Sequence, residues 1–294
     1  MLVKKHIPGP FEISSVQEYE TSANSLNFIF PDLSNDKFSS TRAFKDSRFV
    51  NPINGFPKMS YHSFILRTPH GIVLVDTCVG AHKEHPLIAE WHMQNYPYLN
   101  RLKQLNLTPA DIDFVCCTHL HGDHVGWNTR LENGHWVPTF PNARYLIAKP
   151  EYDYWENIHN KTKNHVFKTA WNESVLPVME AGQIDKVSAE HEIFNGVQLR
   201  PAFGHSPGNV VIDVSDGKRS AILTGDVLHH PVQIERPEWY TVFDDDQKMA
   251  LDTRIKTLER IADRGTVMLA GHFGGATPLI IESGKKYFRY TNPI

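Results

Sequence analysis

Between Thr118 and His124 the chain reads Thr-His-Leu-His-Gly-Asp-His, so three imidazoles and a carboxylate fall within six consecutive positions. They follow directly on Phe114-Val115-Cys116-Cys117, an apolar run of strand length. Any fold of this segment must bury the run and gather the polar groups at its end. Histidines two apart leaving a strand point to one side, and the Asp123–His124 pair reaches a second point if the chain turns at Gly122. Imidazole with carboxylate suits zinc and other borderline divalent metals, whereas calcium or magnesium would draw mostly oxygen ligands. Surface or core histidines satisfied by backbone are the ordinary reading of a lone histidine. They account poorly for this density.

Three more candidates stand where apolar runs end: His205 in Gly204-His205-Ser206-Pro207-Gly208, Asp226 in Thr224-Gly225-Asp226, and His272 in Ala270-Gly271-His272-Phe273. Strands are predicted at 61–68, 72–75 (a hairpin turning at His70-Gly71), 114–118, 144–148, 197–202, 210–214, 220–223 and 266–270. Thr108-Pro109-Ala110-Asp111 predicts a capped helical turn, 151–181 a largely helical insertion, and 245–264 a helix with Met249, Ile255, Leu258 and Ile261 on one face. Residues 12–58 read as irregular, yet they carry Phe28, Phe30, Phe38, Phe44, Phe49 and Phe56. This predicts an N-terminal extension, 1–58, serving as a packed pocket lid or dimer contact, and a main domain at 59–294. There is no short repeat and no low-complexity tract.

With 40% hydrophobic residues in 294, the chain can bury a sizeable core. Its 30 Lys and Arg against 33 Asp and Glu form no basic block, which argues against nucleic acid as a partner. No segment approaches membrane-spanning length, and Met1–Phe11, broken by Pro8, Gly9 and Pro10, lacks a signal peptide's apolar stretch. Cys78, Cys116 and Cys117 read as reduced core residues. The expectation is therefore a cytoplasmic protein without disulfides.

The H-x-H-x-D-H motif with its later His, Asp and His, in order over residues 60–275, resembles the metallo-β-lactamase superfamily. The resemblance implies an α/β fold, a four-layer αβ/βα sandwich with two divalent metal ions at one edge, zinc first and iron or manganese as alternatives. It would place His119, His121 and His205 on one ion, Asp123, His124 and His272 on the other, and Asp226 between them. Asp76, ending the 72–75 run, matches a common superfamily position but reads equally well as a strand-end cap. His229 stands three residues after Asp226, an offset at which lactonases of the superfamily commonly carry tyrosine, so it is either a donor to the substrate carbonyl or a wall residue. His62, His70, His82, His85, His92, His135, His159, His165 and His191 read as solvated or structural. His230, beside His229, is not a ligand by this pattern.

Two metals about 3.5–4 Å apart can share a water and lower its pKa, generating hydroxide without a protein nucleophile. Ser206, before Pro207 and with no base assigned, is then superfluous. Asp123 or Asp226 would shuttle the proton to the leaving group. The segments at 124–128, 136–143 and 225–233 are similar to the branch containing lactonases and methyl-parathion-hydrolase-like enzymes. That implies hydrolysis of lactones, N-acyl homoserine lactones among them, or of aryl esters, with phosphotriesters as side substrates. The aromatic segments 28–56 and 152–171 would form an apolar wall. A thioesterase of the hydroxyacylglutathione type is the alternative, though no basic patch for glutathione carboxylates is evident. By the same resemblance the chain would be a homodimer.

Overall fold

A computed structural model describes residues 3–7, 11–161 and 169–293. His165 and the middle of the 151–181 insertion lie outside the described residues. The chain divides into two compact units, Met1–Tyr19 with Tyr61–Ala189, and Glu20–Ser60 with Glu190–Ile294.

The first unit is built on a seven-stranded sheet. Strands β1 (Val3–Ile7), β2 (Glu12–Thr21), β3 (Met59–Thr68), β4 (Gly71–Val75) and β5 (Phe114–Cys117) are neighbours in that order. The pair β6 (Thr129–Glu132) and β7 (His135–Pro138) stands apart as a hairpin, and β8 (Arg144–Ala148) and β9 (Ile184–Val187) complete the sheet beyond β5. The predicted hairpin is β3–β4, with Phe64 opposite Val75 and Thr68 opposite Gly71. From β4 to β9 the sheet is parallel. Parallel strands are covered on both faces, which is why β5 and β8 read as continuous apolar runs. Leu74, Val115, Cys117, Tyr145 and Ile147 pack in one core with Trp127, Tyr152 and Trp171. All three cysteines are buried and unbridged.

Residues 1–58 are not one irregular extension. Glu12–Thr21 is a ten-residue strand with seven consecutive buried positions, Ile13–Tyr19, inside the first unit's sheet. Its sequence, EISSVQEYET, hides this because polar residues occupy both faces. Residues 20–60 belong to the second unit, where Phe30, Phe38 and Phe49 are core and only Phe28 is strongly exposed.

The second unit carries β10 (Glu192–Phe194), β11 (Val197–Pro201), β12 (Val210–Ser215), β13 (Ser220–Leu223), β14 (Val267–Leu269), β15 (Leu279–Ser283) and β16 (Phe288–Thr291), hydrogen-bonded in chain order. Only β13 and β14 pair in parallel, and their crossover contains the helix Gln247–Ile261. Asp246 caps it by accepting from the Met249 amide, and Ala250, Arg254, Thr257, Leu258 and Ile261 form its buried stripe. No helix among the described residues is long and apolar enough to cross a membrane.

Behind β4 the chain takes left-handed backbone at Asp76 (φ 57°) and Cys78 (φ 52°). Such conformations persist only where the surroundings hold them. Here the Thr77 amide donates to the His124 carbonyl (2.7 Å), Gly126 N to Cys78 O (2.8 Å) and Trp127 N to Thr77 O (2.8 Å). Glu18 accepts from the Val79 amide (2.8 Å), the Gly80 amide (3.2 Å) and Trp127 Nε1 (2.6 Å), while burial pushes its carboxyl up to about 7. A Cβ on Gly126 would lie 1.8 Å from the Val79 carbonyl oxygen. Gly126→Ala should therefore destabilise the protein by about 3 kcal/mol, at the severe end for a single substitution. Urea unfolding measures it, and an unchanged midpoint would show that the 76–80 loop yields freely.

Candidate metal centre

Each candidate sits where a strand delivers it. In the first unit β4 runs into Asp76, β5 into Thr118 and His119, and β8 into the helix Lys149–Lys161 that carries Glu151. The carboxyl ends of parallel strands are where open α/β sheets build their sites. His119 and His121 pack edge to face with ring centroids 4.5 Å apart, and His119 and His124 are 4.1 Å apart. The turn expected at Gly122 is the start of a short helix, Gly122–Val125. Glycine is needed there for close approach, because a Cβ would meet the His85 ring at 2.8 Å.

Asp76 is more than a cap. Its carboxylate accepts from the Thr118 amide (2.7 Å), the Thr118 hydroxyl (2.9 Å) and His124 Nδ1 (2.9 Å). The Thr118 hydroxyl, having given its proton to Asp76, accepts from His119 Nδ1 at 3.1 Å. One carboxylate thus orients two rings through their Nδ1 atoms, so that Nε2 of each could serve as a ligand. Glu151, fully buried, accepts from the Leu120 amide (2.9 Å) and from Trp155 Nε1 (2.7 Å), and Trp155 packs edge-on against His121. Asp123 is more open than Asp76 or Glu151; its carboxylate lies 3.8 Å from His124 Nε2.

In the second unit β13 delivers Asp226, β14 His272, and the loop after β11 His205. Asp226 Oδ2 lies 3.1 Å from His272 Nε2, 3.2 Å from His229 Nε2 and 3.4 Å from His205 Nε2. Gly271 makes this possible, since a Cβ there would come within 2.7 Å of Asp226 Oδ1. His205 Nδ1 is 3.1 Å from Asp244 Oδ1, and His272 Nδ1 is 3.2 Å from the Ser60 carbonyl oxygen. Both partners only accept, so both Nδ1 atoms carry a proton, and in the neutral form each ring would turn an Nε2 lone pair toward a carboxylate oxygen. Lone pairs facing a carboxylate at this range would suit a cation bound among them. The donor set of imidazole and carboxylate is the one a borderline divalent ion prefers.

Two residues that the sequence does not flag hold this arrangement. Asp244, in the run Asp244-Asp245-Asp246, looks like a solvated acid or helix cap, yet its side chain is buried against His205 and Arg254 Nη2 (3.2 Å). Burial works against its charge, but the His205 hydrogen bond and the Arg254 cation take its carboxyl down to about 2. Arg254, in turn, donates to the Val227 carbonyl (2.9 Å) and the Pro237 carbonyl (2.7 Å).

His229, which the sequence leaves as either a substrate donor or a wall residue, lies inside the second unit's cluster. It is 2% exposed, both ring nitrogens are out of solvent reach, and burial lowers its pKa against the pull of Asp226. His230 is structural: Nε2 donates to the Phe49 carbonyl (2.9 Å) and Nδ1 accepts from the Val232 amide (3.2 Å). His62 packs on Phe64 and His159 on Trp171, as the structural reading anticipates.

A mixed α/β chain with two large sheets and metal-ligand clusters at its strand ends defines a class, and the comparisons give the family. The metallo-beta-lactamase superfamily pattern matches residues 58–272, and the chain belongs to that superfamily. The N-acyl homoserine lactonase AiiA of Bacillus thuringiensis subsp. kurstaki is 23% identical over 222 residues, 71% of this chain and 79% of that one. Among solved structures, AidC, a dizinc quorum-quenching lactonase in complex with a product, superposes with TM-score 0.81 at 19% identity, covering 99% of this chain and 97% of that one. The hydrolase AbOPH gives 0.80 at 20% identity with the same coverage.

Asp244→Asn leaves one amide oxygen for two donors, His205 Nδ1 and Arg254. Loss of such an outer partner typically weakens metal binding about 10- to 100-fold. Competition against a chromophoric chelator should show that loss with the fold intact by circular dichroism; unchanged affinity would separate Asp244 from metal binding.

Proposed function

We propose that this protein is a metal-dependent hydrolase of lactones and carboxylic esters, N-acyl homoserine lactones foremost. The observation that carries the reading is the convergence of imidazole Nε2 atoms on Asp226 Oδ2, with the Nδ1 atoms of His205 and His272 held from behind. Lactonases among the relatives supply the substrate class. Carried onto this chain, the family pattern assigns His119, His121 and His205 to one ion, Asp123, His124 and His272 to a second, and Asp226 to both; zinc is the first choice on donor chemistry. Bound there, two such ions would activate water and polarise the scissile carbonyl.

The chain's own groups then orient and move protons. Asp76 and Asp244 keep His124 and His205 in the tautomer that offers Nε2. Asp226 is crowded by three imidazoles, so the more open Asp123 is the better carrier of a proton to the departing alkoxide. Phe243 covers His229 with ring centroids 5.7 Å apart, and Phe28 meets Phe243 edge-on at 6.4 Å. Both phenylalanines are partly exposed, which suits the wall of an acyl-chain pocket and narrows the lid expected over 1–58 to Phe28 and its neighbours.

The zinc-loaded protein should hydrolyse N-acyl homoserine lactones and aryl esters faster than glutathione thioesters, and Asp226→Ala should lose bound metal and activity together. Faster thioester turnover, or Asp226→Ala with both ions and near-normal rates, would sink the reading. Phe243→Ala should lower kcat/KM for a decanoyl lactone by about 10-fold, the scale of a lost apolar contact, and barely touch a butanoyl one. Equal losses on both chains would remove Phe243 from the acyl pocket.

A further inference from the structure

His229 has no role in the family's ligand pattern, yet the second unit builds it into the ligand cluster. Its Nε2 stands 3.2 Å from Asp226 Oδ2, between the distances of His272 and His205, both assigned as ligands above. A carboxylate oxygen has two lone-pair sites and cannot accept from three imidazoles at once. Asp226 attracts the ring at this distance, but the approach lacks hydrogen-bond geometry, and neither ring nitrogen has a well-directed partner among the described residues. Leaving such a buried group unsatisfied is destabilising.

The ring is nonetheless held firmly. It lies nearly parallel to His272 (5.6 Å, 16°) and is stacked on Phe243, while its backbone amide donates to Gln233 Oε1 (2.8 Å) and Gln233 Nε2 donates to the Trp239 carbonyl (2.9 Å). Stacking fixes this ring where hydrogen bonds fix the Nδ1 atoms of His205 and His272. With His205 and Asp244 it also forms a buried set of three groups close enough to share an ion.

We propose that His229 is a metal ligand, its Nε2 serving one of the two ions beside Asp226 Oδ2. The inference rests on the metal-hydrolase reading and adds a ligand that the family pattern lacks. With Nε2 on a metal only Nδ1 keeps a proton, and that atom is buried, so ligation replaces the donor and wall roles weighed at this offset.

The test uses the full chain loaded with Co2+ or Zn2+. His229→Ala should bind one of two ions at least about 100-fold more weakly, beyond the loss typical of an outer partner. Its Co2+ visible spectrum should change, and millimolar free imidazole should restore both spectrum and affinity; a merely structural ring would not give that rescue. His229→Phe, which keeps an aromatic ring against Phe243 but offers no ligand atom, should behave as the alanine variant does but without rescue. Two ions bound as tightly as in the wild type, with an unchanged Co2+ spectrum, would overturn the proposal even if turnover fell. A wild-type protein that binds no metal would instead overturn the reading of the whole site.

Discussion

An imidazole has two nitrogens, and the site depends on which of them is held by the protein. His124 gives Nδ1 to Asp76, His119 gives it through the Thr118 hydroxyl to the same carboxylate, His205 to Asp244, and His272 to the Ser60 carbonyl. Each tether fixes both tautomer and ring orientation, so each Nε2 becomes a directed lone pair before any ion arrives. Without the tethers these would be histidines with two equivalent faces and a freely turning ring. Preorganisation of this kind keeps the cost of ordering ligands out of the binding step.

Holding the rings this way places charge where water is excluded. Asp76, Asp244, Glu18 and Glu151 are all buried, and Arg254 is buried with them. A buried charge is tolerable only when its hydrogen-bonding capacity is met. Glu18 meets two amides and an indole, Asp76 an amide, a hydroxyl and an imidazole, and Asp244 an imidazole and a guanidinium. These networks also bind loops to sheets: Glu18 on β2 grips the loop after β4, and Arg254 on the long helix grips the chain between Val227 and Asp244. The same contacts that align ligands therefore hold the loops that carry them.

How much of this was legible depended on how locally each piece is encoded. The six-residue cluster and the strand ends at Asp226 and His272 stand out because motif and apolar run are contiguous. The parallel strands were readable because covering both faces leaves an unbroken apolar signature. Strand β2 was not, since Ser14, Ser15, Gln17 and Glu18 are buried polar residues whose partners lie elsewhere in the chain. Asp244 is 39 positions from the histidine it holds, and nothing near it distinguishes it from its acidic neighbours. Asp76 could be read as cap or partner, and only the position of Thr118 and His124 decides between them.

Backbone strain follows the same logic. Asp76, Cys78 and Gly225 all take positive φ immediately after strands that end at the candidate site, and Gly126, Gly204 and Gly271 are each approached too closely to carry a side chain. A Cβ on Gly204 would fall 2.2 Å from the Ala250 amide nitrogen, at the head of the helix whose Arg254 orients Asp244. Strand ends alone aim residues along the strand direction, and bringing several side chains to one point requires the chain to fold back sharply within two or three residues. The strained and side-chain-free positions are where that reversal happens. The apolar cores behind β5 and β13 supply the rigidity that keeps them there, so the geometry of the candidate site is set as much by its glycines and left-handed turns as by the histidines and carboxylates themselves.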